Sequence, residues 1–303
     1  MVFRYTEETA LTPSRIVAVL TLVLASLPAP AVAASTVRLP ATMCPGGDAI
    51  FDTGFETPVI PHDPSAGSGG SYPGNVTRTI SVPGVGTRNY YLHLPPGYTP
   101  SQSAPLLLAL RGQSLPTATA AQQVRSNWTS RADSNGFIVL APVGNSTQGG
   151  WGASGDIAEI GAALDDALAA YNVERSRIYL WGYSAGAHYG HGLALSNTDY
   201  FAAYGVSAGS LEQYACTDNG SFPPTCAALL GATQPKIPVD IHLGNTDPLY
   251  TQYGAGNDPQ RFQAGGWVSN RNLYYTLFAG GHVYTPAHLG EIWNHLCPFA
   301  LGP

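Results

Sequence analysis

The stretch Arg177-Ile178-Tyr179-Leu180-Trp181-Gly182-Tyr183-Ser184-Ala185-Gly186-Ala187-His188 decides the fold. Residues 177–181 are apolar and β-favouring, and they run straight into Gly-x-Ser-x-Gly. Leu193 and Leu195 then follow at helical spacing. Strand, sharp turn and helix in that order make Ser184 a candidate nucleophile. The turn is so tight that a side chain at Gly182 or Gly186 would collide with neighbouring backbone. It exposes the serine hydroxyl at the carboxyl edge of a sheet and turns the Ala185 N–H toward the same point.

Working outward, further apolar runs at 89–94, 106–110, 137–142, 201–207, 237–243 and 273–278 predict strands. Helical patterns lie between several of them. Ile157, Ile160, Gly161, Leu164, Leu168 and Tyr171 fall on one face, with Asp156 as the expected N-cap, and Leu289, Ile292, Trp293 and Leu296 repeat the pattern. Continuous apolar strands alternating with amphipathic helices imply an α/β fold with a mostly parallel central sheet and helices on both faces. One domain, 75–303, accounts for all of these elements.

A serine hydroxyl is a weak nucleophile near neutral pH, so it needs a general base, and the base needs an orienting carboxylate. In this kind of fold the chain order is Ser, then Asp or Glu, then His. The run Pro238–Leu243 ends in Gly244-Asn245-Thr246-Asp247, which puts Asp247 just past a strand end, on the edge where Ser184 is expected. Asp240 sits inside that strand and reads as a structural polar residue. The run 273–278 ends in Ala279-Gly280-Gly281-His282, whose glycines let His282 fold back over the serine. His288 and His295 read as exposed or packing residues of the last helix. His188 and His191 are a helical i, i+3 pair, too few ligands for a metal, and no metal or cofactor is expected.

An oxyanion needs two backbone N–H groups. Ala185 supplies one, and the loop Arg111-Gly112-Gln113-Ser114 supplies the other, from Gly112 or Gln113. Trp151, Tyr183 and Tyr250 are candidates for an aromatic wall against an acyl or aryl group, with ordinary packing as the competing role.

The chain has 303 residues, a net charge of −6 and 11% charged residues, against roughly 25% in an average domain. With Lys236 as the single lysine, it lacks the basic surface that a nucleic-acid partner requires. Residues 1–34 have the order of a secretory signal: Arg4 and Arg15, the apolar stretch 16–27, then Pro28, Pro30 and Ala31-Val32-Ala33. Glu7 and Glu8 offset the two arginines. The apolar part is shorter than the ~20 residues of a spanning helix, so no stable membrane anchor is expected and the protein is expected to be secreted, extracellular or periplasmic. Residues 35–74 form an N-terminal extension ending in a Pro/Gly/Ser-rich run, read as a flexible linker. Cys44, Cys216, Cys226 and Cys297 show no Cys-x-x-Cys spacing, which in an exported chain favours disulfides. Three connectivities are open, and Cys216–Cys226 with Cys44–Cys297 is the favoured one.

From about Arg88 to its end the chain resembles the secreted α/β-hydrolases grouped as polyhydroxybutyrate depolymerase-like and feruloyl esterase-like enzymes. The resemblance rests on residues 88–98, 136–142 and 171–179, on the Gly182–Gly186 turn, and on the ends Gly244–Asp247 and Gly280–His282. It implies the α/β-hydrolase fold and an ester hydrolase with Ser184 as nucleophile, Asp247 as acid and His282 as base. The implied partner is an ester substrate, polymeric and plant cell-wall esters among them. A serine peptidase on the same scaffold and a catalytically silent surface-binding module are the alternatives. Two positions depart from the family's pattern. Ala185-Gly186-Ala187 stands where Ala-Gly-Gly is usual, a small change, and Arg111-Gly112 stands where His-Gly is usual. Arg111 has two readings: it pairs with a carboxylate at the domain surface, or it lines the mouth of the site and favours carboxylated esters.

Overall fold

In the computed structural model, residues 36–38, 63–152, 155–212, 215–217 and 224–302 are described. The expected signal at 1–34, most of the 35–74 extension and Cys44 lie outside the described residues.

The strands are β1 (Thr36–Arg38), β2 (Gly74–Val82), β3 (Gly86–Leu94), β4 (Ala104–Leu110), β5 (Ile138–Pro142), β6 (Val173–Tyr183), β7 (Ala203–Ser207), β8 (Val239–Gly244), β9 (Leu273–Phe278) and β10 (Phe299–Leu301). Eight of them form one sheet in the order β2-β3-β5-β4-β6-β7-β8-β9. β2 and β3 join antiparallel to each other and to β5, and the pairs from β5 to β9 are all parallel. β1 and β10 make a separate antiparallel pair. The helices are α1 (Thr117–Asn135), α2 (Asp156–Ala170), α3 (Ala185–Leu195), α4 (Cys226–Ala232), α5 (Leu249–Gln252), α6 (Asp258–Ala264) and α7 (Pro286–Leu296). This is the expected α/β architecture.

β4 shows why both faces are covered. Every residue of Ala104-Pro105-Leu106-Leu107-Leu108-Ala109-Leu110 is buried, and the strand's two-residue period sends them alternately to two cores. Leu106, Leu108 and Leu110 join the core that includes Ile160 and Leu164 of α2 and Leu193 of α3. Leu107 and Ala109 join the core containing Trp128 of α1 and Ile292 and Trp293 of α7. Trp128 packs edge-on to Trp181, and Phe137 stacks on Trp293 with centroids 3.8 Å apart.

Among the elements that the apolar scan did not find are α1 and β2. α1 is polar along most of its length and buries only Ala121, Val124, Trp128 and Ala132; Gly136, in the left-handed region at φ 73°, closes it. β2 is an edge strand with alternately covered residues, so it offers no continuous apolar run. Asp156 is not the N-cap of α2. Gly155 holds that place, and the Asp156 carboxylate accepts a hydrogen bond from Asn145 N at 2.5 Å instead. Part of the stretch read as a flexible linker is laid onto the domain: Ser65 N donates to Val173 O, Ser65 Oγ to Tyr171 O, and Gly70 N to Ala170 O. A Cβ at Gly67 would stand 2.4 Å from the carbonyl oxygens of Leu168 and Tyr171, so this contact requires glycine.

Candidate active site

Ser184 sits between β6 and α3 at φ 54°, ψ −119°, a conformation that costs a non-glycine residue on the order of 1–3 kcal/mol. Surrounding hydrogen bonds hold it there. Ser184 N donates to Ser207 O at the end of β7, and Ser184 O accepts from Ala187 N and His188 N. The flanking glycines are fixed by contact: a Cβ at Gly182 would lie 2.2 Å from Gly186 O, and one at Gly186 would lie 2.4 Å from Arg111 O.

Past β8, the Asp247 carboxylate is fully buried, and its Oδ1 accepts from Leu249 N at 2.9 Å. Its Oδ2 lies 2.9 Å from His282 Nδ1, and His282 Nε2 lies 2.7 Å from Ser184 Oγ. Since a carboxylate only accepts, Nδ1 carries the proton and the serine hydroxyl donates to Nε2. The loop behind β9 that carries His282 is tied down by Thr246 N donating to Gly280 O and by Tyr183 Oη donating to His282 O at 2.8 Å. Gly244 makes room for it, because a Cβ there would stand 2.3 Å from the oxygens of Gly280 and Gly281.

These groups open into a cavity of about 450 Å³ bordered by Ser184, Ala185, His282, Gln113, Ser146, Gln148, Gly150, Trp151, His188, Leu249 and Tyr253. Among the described residues no Asp, Glu, Lys or Arg borders it, so its polar lining is of amides, hydroxyls and imidazoles. Of the sequence candidates, Gln113 and Trp151 reach this wall, and Trp151 stacks on Tyr189. Tyr183 lies behind His282 rather than in the wall, with ring centroids 5.4 Å apart. Tyr250 packs with Leu243, Leu249 and Ala255 beside Asp247 and does not border the cavity.

Arg111 fits neither of its two readings. It is 1% exposed, so it neither lines the mouth nor pairs with a surface carboxylate. Its guanidinium donates to the carbonyls of Val143, Gly112, Gly149 and Gly150 and lies over the Trp151 ring. A buried cation needs all its donors matched, and the carbonyls of loop 143–151 supply the partners. Nothing in the sequence signals that a loop some thirty residues away would do so.

His188, considered only as half of a metal pair, borders the cavity. Its Nδ1 lies 2.8 Å from Ser210 N and 3.0 Å from Ser210 O, and burial lowers its pKa. His191 is fully buried beside Tyr204 Oη, and burial takes its pKa down to about 3. His295 is neither a free surface group nor plain packing, because its Nδ1 lies 2.8 Å from Asp240 Oδ2. Leu249 and Tyr253 also border the site, and no pattern in the sequence distinguished them. Cys216 and Cys226 are bonded to each other. Cys297 is in a disulfide as well, while Cys44 lies outside the described residues.

No family model matches the chain. Among curated proteins, the chain is 26% identical over 239 residues to a probable feruloyl esterase C of Aspergillus terreus, covering 74% of this chain and 86% of that one. It is 30% identical over 153 residues to poly(3-hydroxyalkanoate) depolymerase C of Paucimonas lemoignei, covering 46% of this chain and 35% of that one. The chain spans less than two thirds of the length of three of the curated relatives it matches. Among solved structures, the feruloyl esterase module of Clostridium thermocellum, complexed with sinapinate, superposes with a TM-score of 0.55 at 15% identity, covering 82% of this chain and 96% of that one. By fold the chain is an α/β-hydrolase. Its relatives, feruloyl esterases and a polyhydroxyalkanoate depolymerase, place it among hydrolases of carboxylic esters.

Proposed function

We propose that the protein is an exported serine esterase working through Ser184, His282 and Asp247. The observation that carries this is the hydrogen-bonded chain from Asp247 Oδ2 through His282 to Ser184 Oγ, ending at the 450 Å³ cavity. Ser184 Oγ attacks the ester carbonyl as His282 Nε2 takes its proton, and Asp247 holds the imidazole tautomer and stabilises its cation. The tetrahedral oxyanion is held by the N–H of Ala185 and one from Gly112 or Gln113. His282 then protonates the leaving alcohol, and water resolves the acyl-enzyme with the roles reversed. The polar lining of amides, hydroxyls and imidazoles fits an uncharged ester, and the named activities of the relatives point to aryl esters of plant cell walls or to polyhydroxyalkanoates. Export rests on the order of residues 1–34, and no helix among the described residues is long and apolar enough to cross a membrane. The test is a panel of short-acyl p-nitrophenyl esters, methyl ferulate, acetylated xylan and a polyhydroxybutyrate suspension, run beside fluorophosphonate labelling. A parent protein that takes no label and cleaves none of the panel would reject the esterase.

A further inference from the structure

We infer that Arg111 is a positioning residue of the oxyanion site, holding the Gly112–Gln113 peptide so that the Gln113 N–H is the second donor to the oxyanion. The inference rests on the esterase reading and goes beyond it by choosing between the two candidate donors and assigning a role to the buried cation. β4 ends at Leu110, and the chain then passes Ser184 at Gly112 and Gln113. Gly112 packs against it: a Cβ there would stand 3.3 Å from the Cβ of Ser184.

The Arg111 guanidinium fixes what lies around it. Nε donates to Val143 O at 2.8 Å, Nη1 to Gly149 O at 2.5 Å and Gly112 O at 3.1 Å, and Nη2 to Gly150 O at 3.3 Å. Trp151 completes the enclosure, with its Nε1 donating back to Arg111 O at 2.7 Å. The same loop is gripped from the other side of its polarity: Glu159 Oε1 accepts from Val143 N and Gly144 N, and Asp156 from Asn145 N. Burial lowers the Arg111 pKa to about 10 against the pull of Asp156 and Glu159, so the group stays cationic at neutral pH.

The bond to Gly112 O has a directional consequence. The Gly112–Gln113 peptide is not among the chain's cis bonds, and in a trans peptide the C=O and the following N–H point opposite ways. With Gly112 O turned to the buried guanidinium, the Gln113 N–H faces away from it, and Gln113 borders the cavity beside Ser184. The next N–H, that of Ser114, is already donated to Gly149 O. A cation bonded to the carbonyl of an amide also polarises that amide, which strengthens its N–H as a donor.

A double-mutant cycle on p-nitrophenyl butyrate tests this, with kcat expressed per active site titrated by a fluorophosphonate. Arg111→Lys, which keeps the charge and loses the fork, is expected to lower kcat by about 10–100-fold, with KM within about threefold and a parallel loss of affinity for a trifluoromethyl ketone. Gln113→Pro removes the N–H itself and should cost about 100–1,000-fold. Adding Arg111→Lys to Gln113→Pro should cost less than about threefold more, because both changes act on one donor. If Arg111→Lys does not fold, Arg111→Gln takes its place in the cycle. Wild-type kcat per titrated site in the folded Arg111 variant, or effects that multiply in the double variant, would overturn the positioning role while leaving the esterase intact. A parent that neither labels nor cleaves would remove both.

Discussion

Two carboxylates, Asp240 inside β8 and Asp247 just beyond its end, each lie against histidine, yet the chemistry around them differs. Asp240 Oδ2 is 3.2 Å from His242 Nε2 and 2.8 Å from His295 Nδ1, and His295 stacks on Tyr274. That cluster fastens α7 to the first half of β8, with no hydroxyl nucleophile in it. Asp247 has one histidine, one backbone donor, and a serine at the far side of the ring. An Asp–His contact is therefore no signature of a reactive centre. Position along the strand separates them: a carboxylate within the strand projects into a core, and one past the carboxyl end meets the loops that carry the serine and the imidazole.

The comparison breaks first at the serine. Ser184→Ala is expected to lower kcat by about 10⁶-fold with little change in melting temperature, read on a p-nitrophenyl ester. Exchanging the two carboxylates is the sharper trial. Asp247→Asn should lower kcat by about 10⁴-fold in a folded protein, by presenting the wrong imidazole tautomer to the serine. Asp240→Asn should instead cost about 3–5 kcal/mol in urea unfolding and leave kcat of the folded fraction within about threefold, because it leaves a buried cluster without its acceptor charge.

Acid offers a third test. Burial alone would raise the Asp240 pKa, but His242 and His295 outweigh it and hold the carboxyl down at about 2. A depressed pKa gives stability that is present above the unfolded value near 3.9 and is lost as pH falls from there through about 2. Parent and Asp240→Asn stabilities should therefore converge over that window, and parallel curves would show that the pair contributes nothing. The smallest expected effect is at Tyr183→Phe. Losing its bond to His282 O should lower kcat by about fivefold, the equivalent of one hydrogen bond of about 1 kcal/mol.

The parallel strands were legible in the sequence because strands covered on both faces read as unbroken apolar runs. α1 was not, since four inward residues among nineteen give too faint a period, and edge strand β2 was missed because its alternately covered residues make no continuous apolar run. Ser184, Asp247 and His282 were legible because the turn and the two strand ends have local signatures. The cavity wall was not. His188, Leu249 and Tyr253 meet Ser184 through the course of separate loops, and no short pattern encodes a meeting of that kind. Arg111 was legible as an anomaly, but its role depends on carbonyls supplied by a distant glycine-rich loop.

The strap at residues 65–70 sets a direction for the whole molecule. It is fastened to Val173, the first residue of β6, while Ser184 follows the last residue of the same strand. Its β4 partners run from Ala104, opposite Val173, to Leu110, opposite Gly182, so about 20 Å of sheet lies between the two ends. The strap is therefore fastened at the pole opposite the cavity mouth. Coupled to a bead or a solid support through that side, the enzyme would stand with its mouth toward the bulk, open to an insoluble substrate.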